Sequence, residues 1–191
     1  TQACTERCVH CYVPEHGVCH LPQEDVFRVL DQFVSMGGLK VKFTGGECLL
    51  HPDFKEILSY ASYSDLVVSV LSNLTCCDDE MAASLRNAGV VVVQTSLYGM
   101  SDNVHDSITK RRGSLRETLA GIECLLRAGV PIQAHCPVMR QNKNEIPALK
   151  DFGERKRIKV TFDASLIARA DHSEVNRDCA LSEDELRRYL E

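Results

Sequence analysis

The 191-residue sequence predicts an α/β fold built on a parallel sheet. Three observations predict it. Short apolar runs rich in β-branched residues alternate with segments whose apolar residues recur at helical spacing. Glycines stand just past the ends of several helical segments, where a helix stops. Five strand–helix alternations follow one another with no internal repeat or low-complexity stretch. Right-handed crossovers wind such units into a barrel or an open sheet, and periodicity alone does not separate the two.

The elements follow in order. Residues 22–36 place Val26, Val29, Leu30 and Phe33 on one helical face, and Gly37-Gly38 closes that helix. Leu39–Thr44 is a short strand leading into Gly45-Gly46-Glu47, and Asp53–Ala61 is a helix. Asp65–Leu71 reads as a buried strand. Asp78–Asn87 is a helix ending at Gly89, and Val90–Leu97 is a strand. Ser114–Arg127 is an amphipathic helix ending at Gly129. Val130–Val138 (strand), Glu145–Arg155 (helix) and Lys159–Asp163 (strand) follow. Ser182–Tyr189 closes the series as a helix, with Ser182 and Glu185 in capping-box positions.

Composition narrows the function classes. The net charge of −5 argues against a broad nucleic-acid footprint. No stretch approaches the roughly 18 apolar residues of a membrane span. Ten cysteines are many for this length. Most of those outside the N-terminal cluster, such as Cys48, Cys124 and Cys136, sit in apolar or periodic segments. They read as small buried hydrophobes of a reducing, cytoplasmic compartment and not as a disulfide scaffold.

The chemistry is concentrated in a few motifs. Cys4, Cys8 and Cys11 form Cys-x3-Cys-x2-Cys, with Tyr12 after the last. Iron–sulfur clusters normally take four cysteines, so a compact set of three points to a [4Fe–4S] cluster with one iron left open. The competing reading is a zinc site completed by His10, His16 or His20. Gly45-Gly46-Glu47 stands at the end of the strand Leu39–Thr44, where glycines admit a ligand to the backbone and a carboxylate can meet an ammonium. Leu71-Ser72-Asn73-Leu74-Thr75 and Gln94-Thr95-Ser96-Leu97-Tyr98-Gly99 end two further strands, and Pro137-Val138-Met139 ends a fourth.

Together these motifs resemble the radical S-adenosylmethionine (SAM) superfamily, in its SPASM-type branch of peptide-modifying maturases. The resemblance spans essentially the whole chain, 1–191, which it marks as a radical SAM core domain with the fold of a partial (β/α)6 TIM-like barrel. It implies a first strand before Thr1 and a SPASM-like region with auxiliary iron–sulfur clusters after Glu191. It implies that Cys4, Cys8 and Cys11 hold the [4Fe–4S] cluster and that Tyr12 adjoins it. Gly45, Gly46 and Glu47 would receive the amino group of SAM, with Ser72 and Asn73 lining the same cleft. Ser96 would contact the SAM ribose or methionine end, and Val138 and Met139 would pack on adenine. Tyr98, Asp163 and Arg169 are substrate-side candidates, although Tyr98 reads equally as a packed core tyrosine.

Two positions depart from the family pattern. Leu74 replaces a usual glycine, and Cys48 a common proline, which we read as a packing variant. An arginine that holds the SAM carboxylate in some relatives is Ile108 here, leaving Lys110, Arg111 or Arg112 as substitutes. His105 and Asp106 read as residues that cap or orient their loop.

The implied reaction is reductive cleavage of SAM to a 5′-deoxyadenosyl radical that abstracts hydrogen from a precursor peptide, giving a thioether or carbon–carbon crosslink or a peptide-derived cofactor. An external one-electron donor of flavodoxin or ferredoxin type would be a partner. The alternatives are a sulfatase-maturing or haem-pathway SPASM enzyme, and a non-catalytic zinc- or cluster-binding module.

Overall fold

The computed structural model describes residues 1–13 and 15–190. Strands β1 (Lys40–Phe43), β2 (Val67–Leu71), β3 (Val92–Ser96), β4 (Ile132–Pro137) and β5 (Lys159–Asp163) form one sheet in sequence order. β1 and β2 pair in parallel with Lys40 opposite Val67, and β2 and β3 in parallel with Ser69 opposite Val92. Strands joined in this order need a crossover at every step, and helices supply them. The crossovers are α2 (Phe54–Tyr63), α3 (Asp79–Asn87), α4 (Asp102–Thr109) with α5 (Ser114–Ala128), and α6 (Ile146–Lys156), while α1 (Gln23–Ser35) precedes β1 and α7 (Glu183–Leu190) follows β5. The predicted α/β class and all five strands are present.

Local sequence explains the helix boundaries. Asp78 caps α3 by accepting from the Met81 N–H at 2.8 Å, which satisfies one of the free donors of the first turn. At α7, the Glu185 carboxylate accepts from the Ser182 N–H and the Ser182 hydroxyl from the Glu185 N–H, so the predicted capping box forms.

The chain divides into two compact units. One comprises residues 1–5, 17–95 and 117–133. Its core includes Leu58, Val68, Val70, Leu85, Val93 and Leu125. β2 shows why: Val68 and Val70 alternate inward along the strand. The other unit comprises residues 6–16, 96–116 and 134–191. It is built around Leu97, Ile108, Cys136, Met139 and Leu149, all fully buried.

One helix was not legible beforehand. Residues 102–109, read as a loop, form α4, whose buried positions are His105, Ile108 and Thr109. Two of those three are polar, so the apolar stripe that announces a helix is missing from the sequence.

Candidate functional site

In the first unit, the chain after β1 meets the N-terminal segment at very short range. The Gly46 N–H donates to Thr1 O at 3.0 Å and the Glu47 N–H to Ala3 O at 2.7 Å. A Cβ at position 45 would stand 2.6 Å from the Thr1 oxygen, and one at 46 only 2.3 Å from the Ala3 oxygen. Both glycines are therefore required by the approach of the backbone that leads into Cys4.

Glu47 is 1% exposed. Its carboxylate accepts from the Leu49 N–H (3.0 Å), the Ser72 hydroxyl (2.8 Å) and the Asn73 N–H (2.7 Å). Burial pushes this carboxyl upward in pKa, and the donors from Leu49, Asn73 and Ser72 pull it back. The charge thus ties the turn after β1 to the turn after β2.

The second of those turns continues the network. Asn73 Nδ2 donates to Thr5 Oγ1 at 2.9 Å and lies 3.9 Å from Cys4 Sγ. Asn73 Oδ1 accepts from the Thr75 N–H, and the Asn73 carbonyl accepts from the Thr118 hydroxyl of α5 at 2.9 Å. Ser72 and Asn73, both predicted as cleft residues, therefore converge on Glu47, and Asn73 also reaches the Cys4 segment. Thr5 and Thr118 were missed, because a lone threonine carries no spacing signal. Leu74 adopts φ 63°, which explains why glycine suits that position. Cys48 is buried with its sulfur against Leu71 O, as a packing residue.

In the second unit, the Arg7 and Val9 N–H groups donate to Thr109 O and Ile108 O, pinning the cysteine loop to the end of α4. The Cys11 N–H donates to Cys8 O at 3.0 Å in a tight turn. The Tyr98 hydroxyl donates to Cys8 Sγ at 3.7 Å, and Cys8 Sγ lies 3.3 Å from Glu6 Oε2. Glu6 is buried, and its role was not legible in the sequence. Cys11 Sγ is 3.7 Å from His16 Nε2. Burial, with the Glu6 charge beside it, pushes the Cys8 thiol far up. Burial and the neighbouring His135 pull His10 down to about 4.

The remaining predicted residues of this unit are spread more widely. Tyr98 is 4% exposed and faces Cys8, which matches the packed reading of that tyrosine. Val138 and Met139 are fully buried, and Met139 packs in one cluster with Tyr98, Ile108 and Cys179, against which Cys8 and Val9 rest. Asn142 Oδ1 accepts from the Met139 N–H at 2.7 Å and fixes this turn. Tyr12 is 50% exposed, and its carbonyl accepts from the Ala170 N–H. Asp163 is exposed and accepts from the Ser165 N–H, while the Arg169 N–H donates to Ser173 O. Lys110 and Arg112 are exposed, and Ile108 is fully buried. Asp106 accepts from the Leu115 N–H and the Ser114 hydroxyl, and His105 Nδ1 is 3.1 Å from Ser114 Oγ. Both residues orient the start of α5, as expected.

The donor set suits an iron–sulfur cluster. None of the ten cysteines is joined in a disulfide. Among the described residues no three Cys, His, Asp or Glu side chains gather as ligands of one metal ion, as a tetrahedral zinc centre requires. A cubane makes a different demand, since each thiolate binds its own iron. No described helix is long and apolar enough to cross a membrane.

Comparison with known proteins gives the class. The model of the radical SAM superfamily matches residues 1–153, and the chain belongs to that family, whose members bind a [4Fe–4S] cluster and SAM. The chain is 28% identical over 187 residues to Fe-coproporphyrin III synthase of Methanosarcina barkeri, covering 96% of this chain and 47% of that protein. It is 32% identical over 152 residues to the sporulation killing factor maturation protein SkfB of Bacillus subtilis, covering 76% of this chain and 36% of that protein. Among solved structures, Streptococcus suis SuiB bound to its precursor peptide SuiA superposes over 100% of this chain and 43% of SuiB, with a TM-score of 0.78 at 17% identity. That likeness establishes the fold, that of the radical SAM partial barrels. The chain spans about half the length of the curated relatives it matches.

Proposed function

We propose that this chain is the core of a radical SAM enzyme acting on a peptide, with Cys4, Cys8 and Cys11 as the ligands of a [4Fe–4S] cluster. The observation that carries the reading is the Cys-x3-Cys-x2-Cys triad, outside any disulfide, in a chain matched to the family over residues 1–153. When bound, the cluster and SAM supply one-electron cleavage of a sulfonium to a carbon radical.

The chain's own residues bind and orient. Gly45 and Gly46 offer backbone to the SAM amino group. Glu47 acts from behind, because its carboxylate is already occupied by Leu49, Ser72 and Asn73. Asn73 holds the Cys4 segment through Thr5. Ser96, at the end of β3, contacts the ribose or methionine end of SAM, and Val138 and Met139, both fully buried, back the adenine side from within the core. Tyr12 screens the cluster loop. A dry, fixed setting of this kind keeps a reactive radical on its target. An external flavodoxin- or ferredoxin-like protein delivers the electron.

Peptide as substrate is supported by the relation to SkfB and by the fold shared with SuiB, itself seen with a precursor peptide. A tetrapyrrole is the second reading, supported by the relation to Fe-coproporphyrin III synthase and to the AdoMet-dependent heme synthase of Methanosarcina barkeri. The test is deuterium transfer into 5′-deoxyadenosine by the intact enzyme. We expect label from a deuterated precursor peptide; label only from a deuterated coproporphyrin would overturn the peptide reading.

A further inference from the structure

The Tyr98 hydroxyl is a buried polar group of the second unit. It stands just past the end of β3, 4% exposed, and donates to Cys8 Sγ at 3.7 Å. Its ring is held by His10, with centroids 5.0 Å apart in an edge contact, and by His105 at 5.2 Å. His105 is in turn fixed by Ser114. Met139 and Ile108 complete the packing. A buried phenol must place its proton on an acceptor. The phenol proton points at sulfur.

We propose that Tyr98 sets the reduction potential of the cluster ligated through Cys8, by donating a hydrogen bond to that ligand's sulfur. The inference rests on the reading of Cys8 as a cluster ligand. Donors to cluster sulfurs withdraw charge and favour the reduced, more negative state, so they raise the potential. Burial strengthens the effect, because little solvent screens it. Tyr98 is a positioning and tuning residue in this account, since it touches the ligand and not the substrate.

The test is an EPR-monitored redox titration of the anaerobically reconstituted protein. Three forms are compared: the natural chain, Tyr98→Phe, and a chain carrying 3-fluorotyrosine at position 98. Phenylalanine keeps the ring and removes the donor. The fluorinated phenol is more acidic and donates more strongly. We expect the midpoint potential to move negative in Tyr98→Phe and positive with fluorotyrosine, at unchanged iron content. Should Tyr98→Phe lose iron, the fluorotyrosine form carries the comparison alone. Equal potentials at full cluster content, or shifts of the opposite sign, would overturn the inference. A natural chain that takes up no iron is a distinct result, which overturns the cluster reading itself.

Discussion

Glu47 gathers a backbone N–H from Leu49, a hydroxyl from Ser72 and a backbone N–H from Asn73 on one carboxylate that solvent hardly reaches. Glu47→Gln would turn an amide N–H toward one of those donors and leave both without an acceptor. A buried unsatisfied group costs about 1–3 kcal/mol, so the urea midpoint should fall by a corresponding amount. Little change would mean the network relaxes without cost. A second residue-scale prediction concerns pH. Burial holds His105 down to about 4, against an ordinary histidine value of 6.5. The unfolded chain therefore binds the proton first, and stability must rise with pH across that window. The contribution is fully present above about 6.5 and is lost as pH falls toward 4. His105→Asn should flatten the stability profile between pH 4 and 6.5, read by thermal melts across that range. At this scale the motif residues were legible because chemistry and spacing coincide. Glu6, Thr5 and Thr118 were not, because single side chains that act through tertiary contact leave no pattern.

Among elements, the turn after β2 and helix α5 form a coupled pair. Leu74 occupies a left-handed conformation that a branched side chain enters at a cost, yet it is fully buried. Gly121 on α5 makes the room: a Cβ there would lie 2.5 Å from the Leu74 oxygen and 2.8 Å from its Cβ. Gly121→Ala should destabilise the protein by about 1–3 kcal/mol, as overpacking does. Because the same turn carries Asn73, iron uptake at the cysteine loop should also fall. Normal iron content alongside lowered stability would show that the turn does not position Cys4. The departure of Leu74 from glycine was visible in the sequence, but its partner at 121 was not, since the two are linked only by packing. Helix α4 escaped for a related reason, with His105 and Thr109 replacing the apolar residues that mark a buried face. Strands β2 (VVSVL) and β3 (VVQTS), by contrast, are rich in β-branched residues, and tertiary context did not override them.

At the scale of the whole molecule, repeated strand–helix units make the α/β sheet, and the residues tied to chemistry fall at or just beyond strand ends: Gly45–Glu47 after β1, Ser72 and Asn73 after β2, Ser96 at the end of β3, Val138 and Met139 after β4. Ligand sites of α/β sheets and barrels concentrate at those ends. The substrate is less legible, and the substrate-side candidates Asp163 and Arg169 make only ordinary local contacts with Ser165 and Ser173 among those described. The central claim is that three thiols near the N-terminus leave one iron open for SAM. Anaerobic reconstitution of the protein, followed by iron quantitation and assay of 5′-deoxyadenosine release under reduction, tests it most directly. The account predicts a [4Fe–4S] centre and nucleoside release, both abolished by alanine at Cys4, Cys8 or Cys11. A protein that retains zinc and cleaves no SAM, or that still releases 5′-deoxyadenosine with all three cysteines substituted, would contradict it.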